Sequence, residues 1–207
     1  MHDLFATATT PHPSIHVGIG GWTYAPWRGG MFYPEGLVQR RELEYASRQL
    51  TAIEINGTYY GAQKPATYAK WRDETPPGFV FTAKAPKRIM ASRRLAGTAA
   101  QVEDFVGGIA ELGDRLGALS WQFERGRAPK PGELEVFLSL LPEQAGGRRV
   151  RHALELREPA LFTPPVLALL RARNVPLACA GSDEYPSFAA GTADFVYAPP
   201  TRARAGP

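Results

Sequence analysis

Hydrophobic and polar residues alternate in several short segments of this chain. In residues 52–56 (AIEIN) and 153–157 (ALELR), isoleucine or leucine takes every second position, and the later positions between them hold a glutamate followed by an asparagine or an arginine. Successive side chains of a β-strand point to opposite faces. The alternation therefore predicts strands with one aliphatic face and one polar face.

Segments with helical spacing separate the predicted strands. We predict seven strands, over residues 15–20, 52–56, 79–84, 116–123, 151–157, 176–180 and 194–198. We predict five helices between them, over residues 37–50, 65–73, 101–112, 133–141 and 165–173. Strands that alternate with helices in this way are typical of a parallel sheet.

The polar strand faces narrow the choice of architecture. Parallel strands covered by helices are normally apolar on both faces, so a polar face has to line an interior. A closed barrel has such an interior and carries its chemistry at the carboxyl ends of the strands. We therefore predict an α/β fold of the TIM-type (β/α) barrel.

The barrel is expected to be incomplete. Seven strands are one fewer than eight, and 207 residues are fewer than the roughly 250 that a whole barrel typically needs. We predict one barrel domain over residues 15–198 with its last unit missing. A disordered N-terminal tail over 1–14 and an irregular, proline-containing C-terminal tail over 199–207 would flank it.

Composition sets the broad class of protein. The formal net charge is +4, and the cations are scattered without a block of five like charges, which favours a mildly basic soluble protein over nucleic-acid binding. No segment approaches the roughly 20 apolar residues of a membrane span, and residues 1–14 lack a signal-peptide pattern, so we expect no membrane partner and a cytoplasmic location. Cys179 is the only cysteine and lies in an apolar run, which indicates a core residue.

The alternation along each strand, which we call strand parity, predicts which side chains face the interior. The side opposite the aliphatic residues carries the following polar groups: Glu54, Asn56, Thr82, Lys84, Ser120, Gln122, Glu155 and Arg157. We predict Glu54, Lys84 and Glu155 as catalytic residues. Two carboxylates can divide general-acid and general-base work, and Lys84 could serve as a charge clamp or as an amine nucleophile.

Other polar and aromatic residues are predicted to bind substrate. Arg157 offers two parallel hydrogen bonds to an anion, and Asn56 and Gln122 can orient hydroxyl or carbonyl groups. Trp22, Tyr24, Tyr59 and Tyr60 follow the first two strands and could stack on a sugar ring or a base, or pack as lid residues. A buried ion-pair network without catalysis is the structural alternative for the whole set.

Metal and cofactor motifs are weak in this sequence. His2 and His12 lie in the tail, and His16 and His152 lie early in their strands, so we predict no metal site, with a carboxylate-held divalent cation between Glu54 and Glu155 as the minor alternative. Residues 18–21 (GIGG) lack the full spacing of a dinucleotide or phosphate loop. We predict no cofactor and a small-molecule ligand.

Five motifs occur in order along residues 15–198. They are residues 18–24 (GIGGWTY) with Trp27 and 32–34 (FYP), 54–60 (EINGTYY), 81–86 (FTAKAP), 116–118 (LGA) with Gln122, and 155–157 (ELR). Together they resemble the domain-of-unknown-function 72 family, also called YecE-like proteins. The resemblance implies a TIM-type barrel with a sugar-isomerase-like description and no established reaction.

The sequence departs from this family pattern in three places. Glu124 stands where the family tends to have a proline-containing turn, Gly181 stands where an aspartate is usual, and Pro199 and Pro200 follow Tyr197 where the family continues the barrel. These departures indicate a truncated or frameshifted member.

Three functional hypotheses remain open from the sequence. The leading one is an enzyme that acts on a small polar or carbohydrate-like metabolite by acid/base chemistry. The second is a non-catalytic protein that binds a ligand or nucleic acid, which would be favoured if basic residues gathered beside the aromatic loop. The third is an inactive family member.

Overall fold

The structure is a computed structural model that describes residues 15–178 and 191–200. The predicted N-terminal tail, Cys179, Gly181 and residues 201–207 lie outside the described residues, as does the end of the predicted sixth strand.

One parallel sheet forms the centre of the fold. Seven strands follow one another in the described residues: β1 (Gly18–Gly20), β2 (Ala52–Ile55), β3 (Val80–Lys84), β4 (Leu116–Phe123), β5 (Gln144–Ala145), β6 (Arg148–Arg149) and β7 (Arg151–Leu156). Five of them form the sheet in the order β1-β2-β3-β4-β7, and every neighbouring pair is parallel. The prediction of an α/β fold with parallel strands is confirmed.

Helices connect the strands of this sheet. They are α1 (Glu42–Gln49), α2 (Pro65–Glu74), α3 (Lys87–Met90), α4 (Ala99–Ile109), α5 (Pro131–Ser139) and α6 (Pro164–Ala172). Proline opens α2 and α6, where its missing N–H leaves no intrahelical bond unmade. Within the described ranges, none of the helices is both long and apolar enough to cross a membrane.

The predicted boundaries need several corrections. The first strand begins at Gly18 rather than at residue 15, and α1 begins at Glu42 after a 3-10 turn over Gln39–Arg41. The sequence reading also missed the antiparallel hairpin of β5 and β6. Gly146 and Gly147 make its two-residue turn with φ values of 57° and 72°, a backbone region that favours glycine.

A closed barrel is not observed in the described part of the chain. β1 pairs only with β2, and β7 gains beyond β4 a single bridge between Leu154 and Leu177. Residues 194–198, predicted as the seventh strand, form no strand. Side-chain hydrogen bonds hold the start of this segment and the residues before it: Thr192 accepts a hydrogen bond from the Leu177 backbone N–H, and Asn174 accepts one from that of Asp194.

The two faces of the sheet have separate apolar clusters. Ile53, Phe81 and Trp121 belong to the main core, where the sheet meets the helices. Ala153 belongs to a small second cluster with Ala178 and Tyr197, although its neighbour in β7, Leu154, belongs to the main core. Because adjacent strand residues point to opposite faces, the second cluster lies on the face away from the main core. We call this second side the inner face.

Two glycines permit close approach between strands. A Cβ atom added to Gly18 would lie 2.0 Å from the carbonyl oxygen of Ala52, and one added to Gly117 would lie 2.4 Å from Cγ1 of Val80. Both distances are far below van der Waals contact, so any side chain at these positions would push the strands apart. The glycines therefore help to hold β1 against β2 and β4 against β3.

Candidate functional site

A group of polar side chains collects on the inner face, near the carboxyl ends of the strands. We call it the polar cluster, and its members are Glu54, Lys84, Gln122, Glu124, Glu155, Arg157 and Tyr197. Hydrogen bonds or ion pairs join each of them to at least one other member. Strand parity explains the placement, because Glu54, Lys84, Gln122 and Glu155 alternate with main-core residues in β2, β3, β4 and β7.

Glu54 forms the first half of the polar cluster. Its residue is 3% exposed, and its Oε1 lies 3.6 Å from Nζ of Lys84, within ion-pair distance but beyond a hydrogen bond. The hydroxyl of Tyr197 donates a hydrogen bond to Oε2 of the same carboxylate. Glu54 is thus a buried carboxylate with one cation and one neutral donor beside it.

Glu155 and Glu124 form the second half, with Arg157 between them. The Arg157 guanidinium donates from Nε to Oε1 of Glu155 at 2.7 Å and from Nη1 to Oε2 of Glu124 at 2.9 Å. Glu124 also accepts hydrogen bonds from the Tyr59 hydroxyl at 2.9 Å and from the Gln122 amide. Arg157 therefore holds two carboxylates from two adjacent strand ends in one network.

The pKa of Glu54 in the first half is raised, whereas the pKa of Glu124 in the second half is lowered. Burial raises the pKa of Glu54, and the charge of Glu155 adds to this, although Lys84 and the Tyr197 hydroxyl oppose it. Burial also acts to raise the pKa of Glu124, but the bonds from Tyr59, Gln122 and Arg157 outweigh it and leave the pKa below its usual range. Burial raises the pKa of Tyr197 well above its ordinary value, so that its hydroxyl keeps its proton.

Several buried atoms of the polar cluster have no hydrogen-bond partner. Seven buried side-chain nitrogen or oxygen atoms in the described part of the chain are in this state, and three belong to the cluster: Oε1 of Glu54, Oε1 of Gln122 and Oε2 of Glu155. Buried polar atoms in folded proteins are nearly always paired. Acceptors concentrated in one place are thus suited to the hydroxyl or amine donors of a ligand.

The structure brings together most of the residues predicted as the site. Glu54, Lys84, Gln122, Glu155 and Arg157 all lie in the polar cluster. Asn56 lies at the edge of this region, beside the end of β1. A Cβ atom on Gly20 would come within 2.7 Å of Nδ2 of Asn56, so the missing side chain of Gly20 makes room for the amide.

The predicted aromatic residues are divided between two environments. Trp22 lies away from the polar cluster, because its ring packs 5.0 Å from Trp71 and 6.3 Å from Phe81 on the helix side of the sheet. Tyr24 is partly exposed at the end of β1, and its hydroxyl donates to the Gly20 carbonyl. Tyr60 is 88% exposed and contacts the ring of Tyr59, which bonds Glu124. The packing alternative thus fits Trp22, whereas Tyr24 and Tyr60 lie at strand ends.

Sequence reasoning did not assign Glu124 or Tyr197 to the site, and it nominated Tyr59 only as a stacking or packing residue. Glu124 continues the parity of Gln122 just past the end of β4, so extending the rule by one step would have nominated it. The cluster of aromatic residues after β2 had been noted without assigning a partner to Tyr59. Tyr197 comes from a segment without regular structure, and strand alternation carries no information about where such a side chain goes.

Neither metal ligands nor the larger cavities mark the polar cluster. Among the described residues, no three histidine, cysteine, aspartate or glutamate side chains are grouped so that they could hold a metal ion. Cavities of about 400 Å3 and 380 Å3 lie instead near the amino ends of β4 and β7, lined in part by Arg149 and Val150. The polar cluster and these two cavities are therefore at opposite ends of the strands.

Comparisons with known proteins agree with the motif resemblance. A family model described as "Protein of unknown function DUF72" matches residues 16–199. The curated "UPF0759 protein YecE" of Escherichia coli strain K12 is 27% identical over 150 residues, which are 72% of this chain and 50% of that protein. The protein of the same name from Escherichia coli O157:H7 gives the same values. The chain thus spans about half the length of the curated relatives it matches.

Solved structures share the fold. A DUF72 family protein from Thermotoga maritima MSB8 has a TM-score of 0.70 at 21% identity, with coverage of 88% of this chain and 72% of that one. A DUF72 family protein from Enterococcus faecalis V583 has a TM-score of 0.59 at 16% identity, with coverage of 86% and 70%. Because the family model spans nearly all of residues 15–200, the chain belongs to the DUF72 family.

Proposed function

We propose that the polar cluster binds a small polar, carbohydrate-like metabolite and acts on it by acid/base chemistry. The observation that carries this proposal is the pair of buried carboxylates, Glu54 and Glu155, each 3% exposed and each with one oxygen that accepts no hydrogen bond within the protein. For Glu54 this oxygen has only the ion pair with Lys84, at 3.6 Å. Charged residues are rarely buried without a partner for each polar atom. A ligand with several hydroxyl groups would supply the missing donors.

The two carboxylates suit different roles. Burial raises the pKa of Glu54, so it takes up a proton more readily than an exposed glutamate, which makes it the candidate general acid. Glu155 has one oxygen bonded by Arg157 and one unpaired, so it is the candidate general base. Differences of environment between paired carboxylates are a common way to divide acid and base duties.

The remaining cluster residues would position the ligand. Oε1 of Gln122 is a buried acceptor aimed at no protein donor and could receive a ligand hydroxyl. Lys84, with a side chain 20% exposed beside Glu54, would act as a charge partner for the carboxylate and for any anion that forms on the ligand. Tyr24 and Tyr60, exposed at the strand ends, would contact a ring from outside.

The test compares two buried glutamates by ligand binding. A panel of free pentoses, hexoses and polyols is screened by thermal shift, and affinities of any hits are measured by calorimetry on the full chain and on Glu155→Gln. We expect the substitution to weaken binding by at least about tenfold, which is the loss of one charge-assisted hydrogen bond.

Glu42→Gln is the matched control. Glu42 is fully buried, is ion-paired to Arg28 at 2.5 Å and also has an unpaired oxygen, but it lies on α1 outside the polar cluster. We expect it to change stability and to leave affinity within about twofold of the unmodified chain. Equal effects of the two substitutions on affinity would show that the polar cluster is a structural ion-pair network.

A further inference from the structure

Cations concentrate in the two connections that follow β3 and β4. Residues 85–98 and 124–130 contain seven lysines and arginines but one acidic residue, Glu124, and so carry a net charge of +6. The chain as a whole carries +4, which leaves −2 for all the other residues. The two connections that follow the carboxyl ends of β3 and β4 thus account for the net positive charge of this protein.

These cations are displayed toward solvent. We call the six exposed ones the basic rim: Lys87, Arg88, Arg93, Arg94, Arg125 and Lys130. The seventh, Arg127, is half-buried, and its guanidinium donates a hydrogen bond to the carbonyl of Ser92, which joins one connection to the other. The two connections therefore form one continuous basic surface.

The basic rim borders the polar cluster. Its first connection begins directly after Lys84, and its second begins at Glu124, whose side chain bonds Gln122 and Arg157 within the cluster. The backbone N–H of Gly126 bonds Glu158, just beyond Arg157, which keeps the second connection against the end of β7. Both connections thus begin at or beside residues of the polar cluster.

We propose that the ligand of the polar cluster carries a phosphate ester, which the basic rim binds while the cluster binds the hydroxylated part. This inference rests on the proposed function and adds the substrate class to it. Arg88 of the rim is ion-paired with Asp104 at 3.7 Å. Exposed arginines suit phosphate, because the guanidinium matches its oxygens in charge and geometry. A focused positive field also speeds the approach of an anion.

Phosphate esters occur in small metabolites and in nucleic acids, and the structure favours a small metabolite. The carboxylates and the amide that would contact the hydroxylated part are 3–4% exposed, so a small ligand would reach them more readily than a polymer. Two carboxylates with a third, Glu124, beside them would also repel a chain of closely spaced phosphates. We therefore commit to a phosphorylated sugar or polyol.

The experiment uses matched ligands and matched arginine pairs. Free pentoses and hexoses, their monophosphates, inorganic phosphate and a single-stranded oligonucleotide are measured by calorimetry at two salt concentrations. The protein variants are Arg93→Gln with Arg94→Gln in the rim, and Arg148→Gln with Arg149→Gln as control. The control pair is also adjacent and exposed, but it lies in the β6 hairpin strand near the amino end of β7.

We expect monophosphates to bind at least about tenfold more tightly than the free sugars, with an affinity that falls as salt rises. The rim double variant should erase that difference, and the control double variant should leave it within about twofold. Glu155→Gln should weaken both free and phosphorylated sugars, because it acts on the hydroxylated part.

Other outcomes separate the two proposals. Equal affinity for a sugar and its monophosphate would overturn the phosphate inference and leave the proposed function standing. Binding of neither ligand class would overturn the proposed function and this inference with it. Oligonucleotide binding that depends on the rim, is unaffected by Glu155→Gln and exceeds that of every monophosphate would replace the small metabolite by nucleic acid.

Discussion

His152 and the carboxylates of the polar cluster are buried polar groups at opposite ends of the central strands, and their hydrogen bonding differs. At the amino end of β7, His152 is 8% exposed, yet both ring nitrogens are satisfied: Nδ1 accepts from Nε1–H of Trp121 at 3.0 Å, and Nε2–H donates to the carbonyl of Pro142 at 2.8 Å. At the carboxyl end, Glu54 and Glu155 are more deeply buried and keep unpaired oxygens.

This difference separates a structural polar group from a candidate functional one. A buried group whose bonds are all made inside the protein stabilises the fold and has nothing left to offer a ligand. Buried polar atoms without hydrogen-bond partners destabilise the ligand-free protein. A ligand that donates hydrogen bonds to the atoms at the carboxyl end would therefore lower the free energy of the folded state. The 380 Å3 cavity at the amino end includes the already satisfied His152 in its lining.

Substitution of Trp121 is expected to cause the largest loss of stability. Its fully buried ring packs 5.4 Å from Phe137 and donates to His152. Trp121→Ala should reduce the free energy of unfolding by about 4 kcal/mol, through lost packing and an unpaired histidine nitrogen. Urea denaturation measures this, with Glu155→Gln as the comparison from the other strand end. A larger loss for Glu155→Gln would reverse the assignment of structural and functional ends.

A more conservative change isolates the hydrogen bond at the amino end. Trp121→Phe keeps an aromatic ring but removes the donor to Nδ1 of His152. We expect a loss of about 1–3 kcal/mol in the free energy of unfolding, together with unchanged ligand affinity. His152→Phe in the same background should then have a smaller additional effect than it has alone, which a double-mutant cycle measures. Strictly additive effects would contradict the coupling.

The contributions of His152 and Glu54 to stability should respond to pH in opposite directions. Burial lowers the pKa of His152, although the bond to Pro142 opposes it, so stability is present above the histidine's ordinary pKa and is lost as pH falls. The pKa of Glu54 is raised, so its contribution is present below the ordinary carboxyl pKa and is lost as pH rises. Urea titrations from pH 4 to pH 8 should show that His152→Gln removes the first dependence and Glu54→Gln the second.

Glu124 should give the smallest change in stability. Its side chain is 42% exposed, so the ion pair with Arg157 is screened by solvent, and Glu124→Gln should reduce the free energy of unfolding by no more than about 1 kcal/mol. Its pKa is lowered, so this contribution should be lost as pH falls below the usual carboxyl range. Repeating the measurement at high salt should shrink the effect, and a salt-independent loss would indicate packing instead.

The local pattern predicted the polar cluster better than the architecture around it. Parity alone placed Glu54, Lys84, Gln122 and Glu155 on one face, because alternation within a strand depends only on backbone geometry. It could not place Trp22, which follows β1 in a turn and packs on the helix side. The closed barrel was an inference from strand counting, and sheet closure depends on pairing between distant edges, which strand alternation does not encode.

The sequence by itself determined the parallel α/β character, the family and the side of each strand that carries the polar groups. These features follow from residue periodicity and short motifs, which act over a few neighbouring positions. The tertiary structure alone decided that Tyr197 bonds Glu54, that Arg157 joins Glu155 to Glu124, and that the cations after β3 and β4 lie beside them. Those contacts join residues up to 143 positions apart, and only the folded chain fixes distances between segments so far apart in sequence.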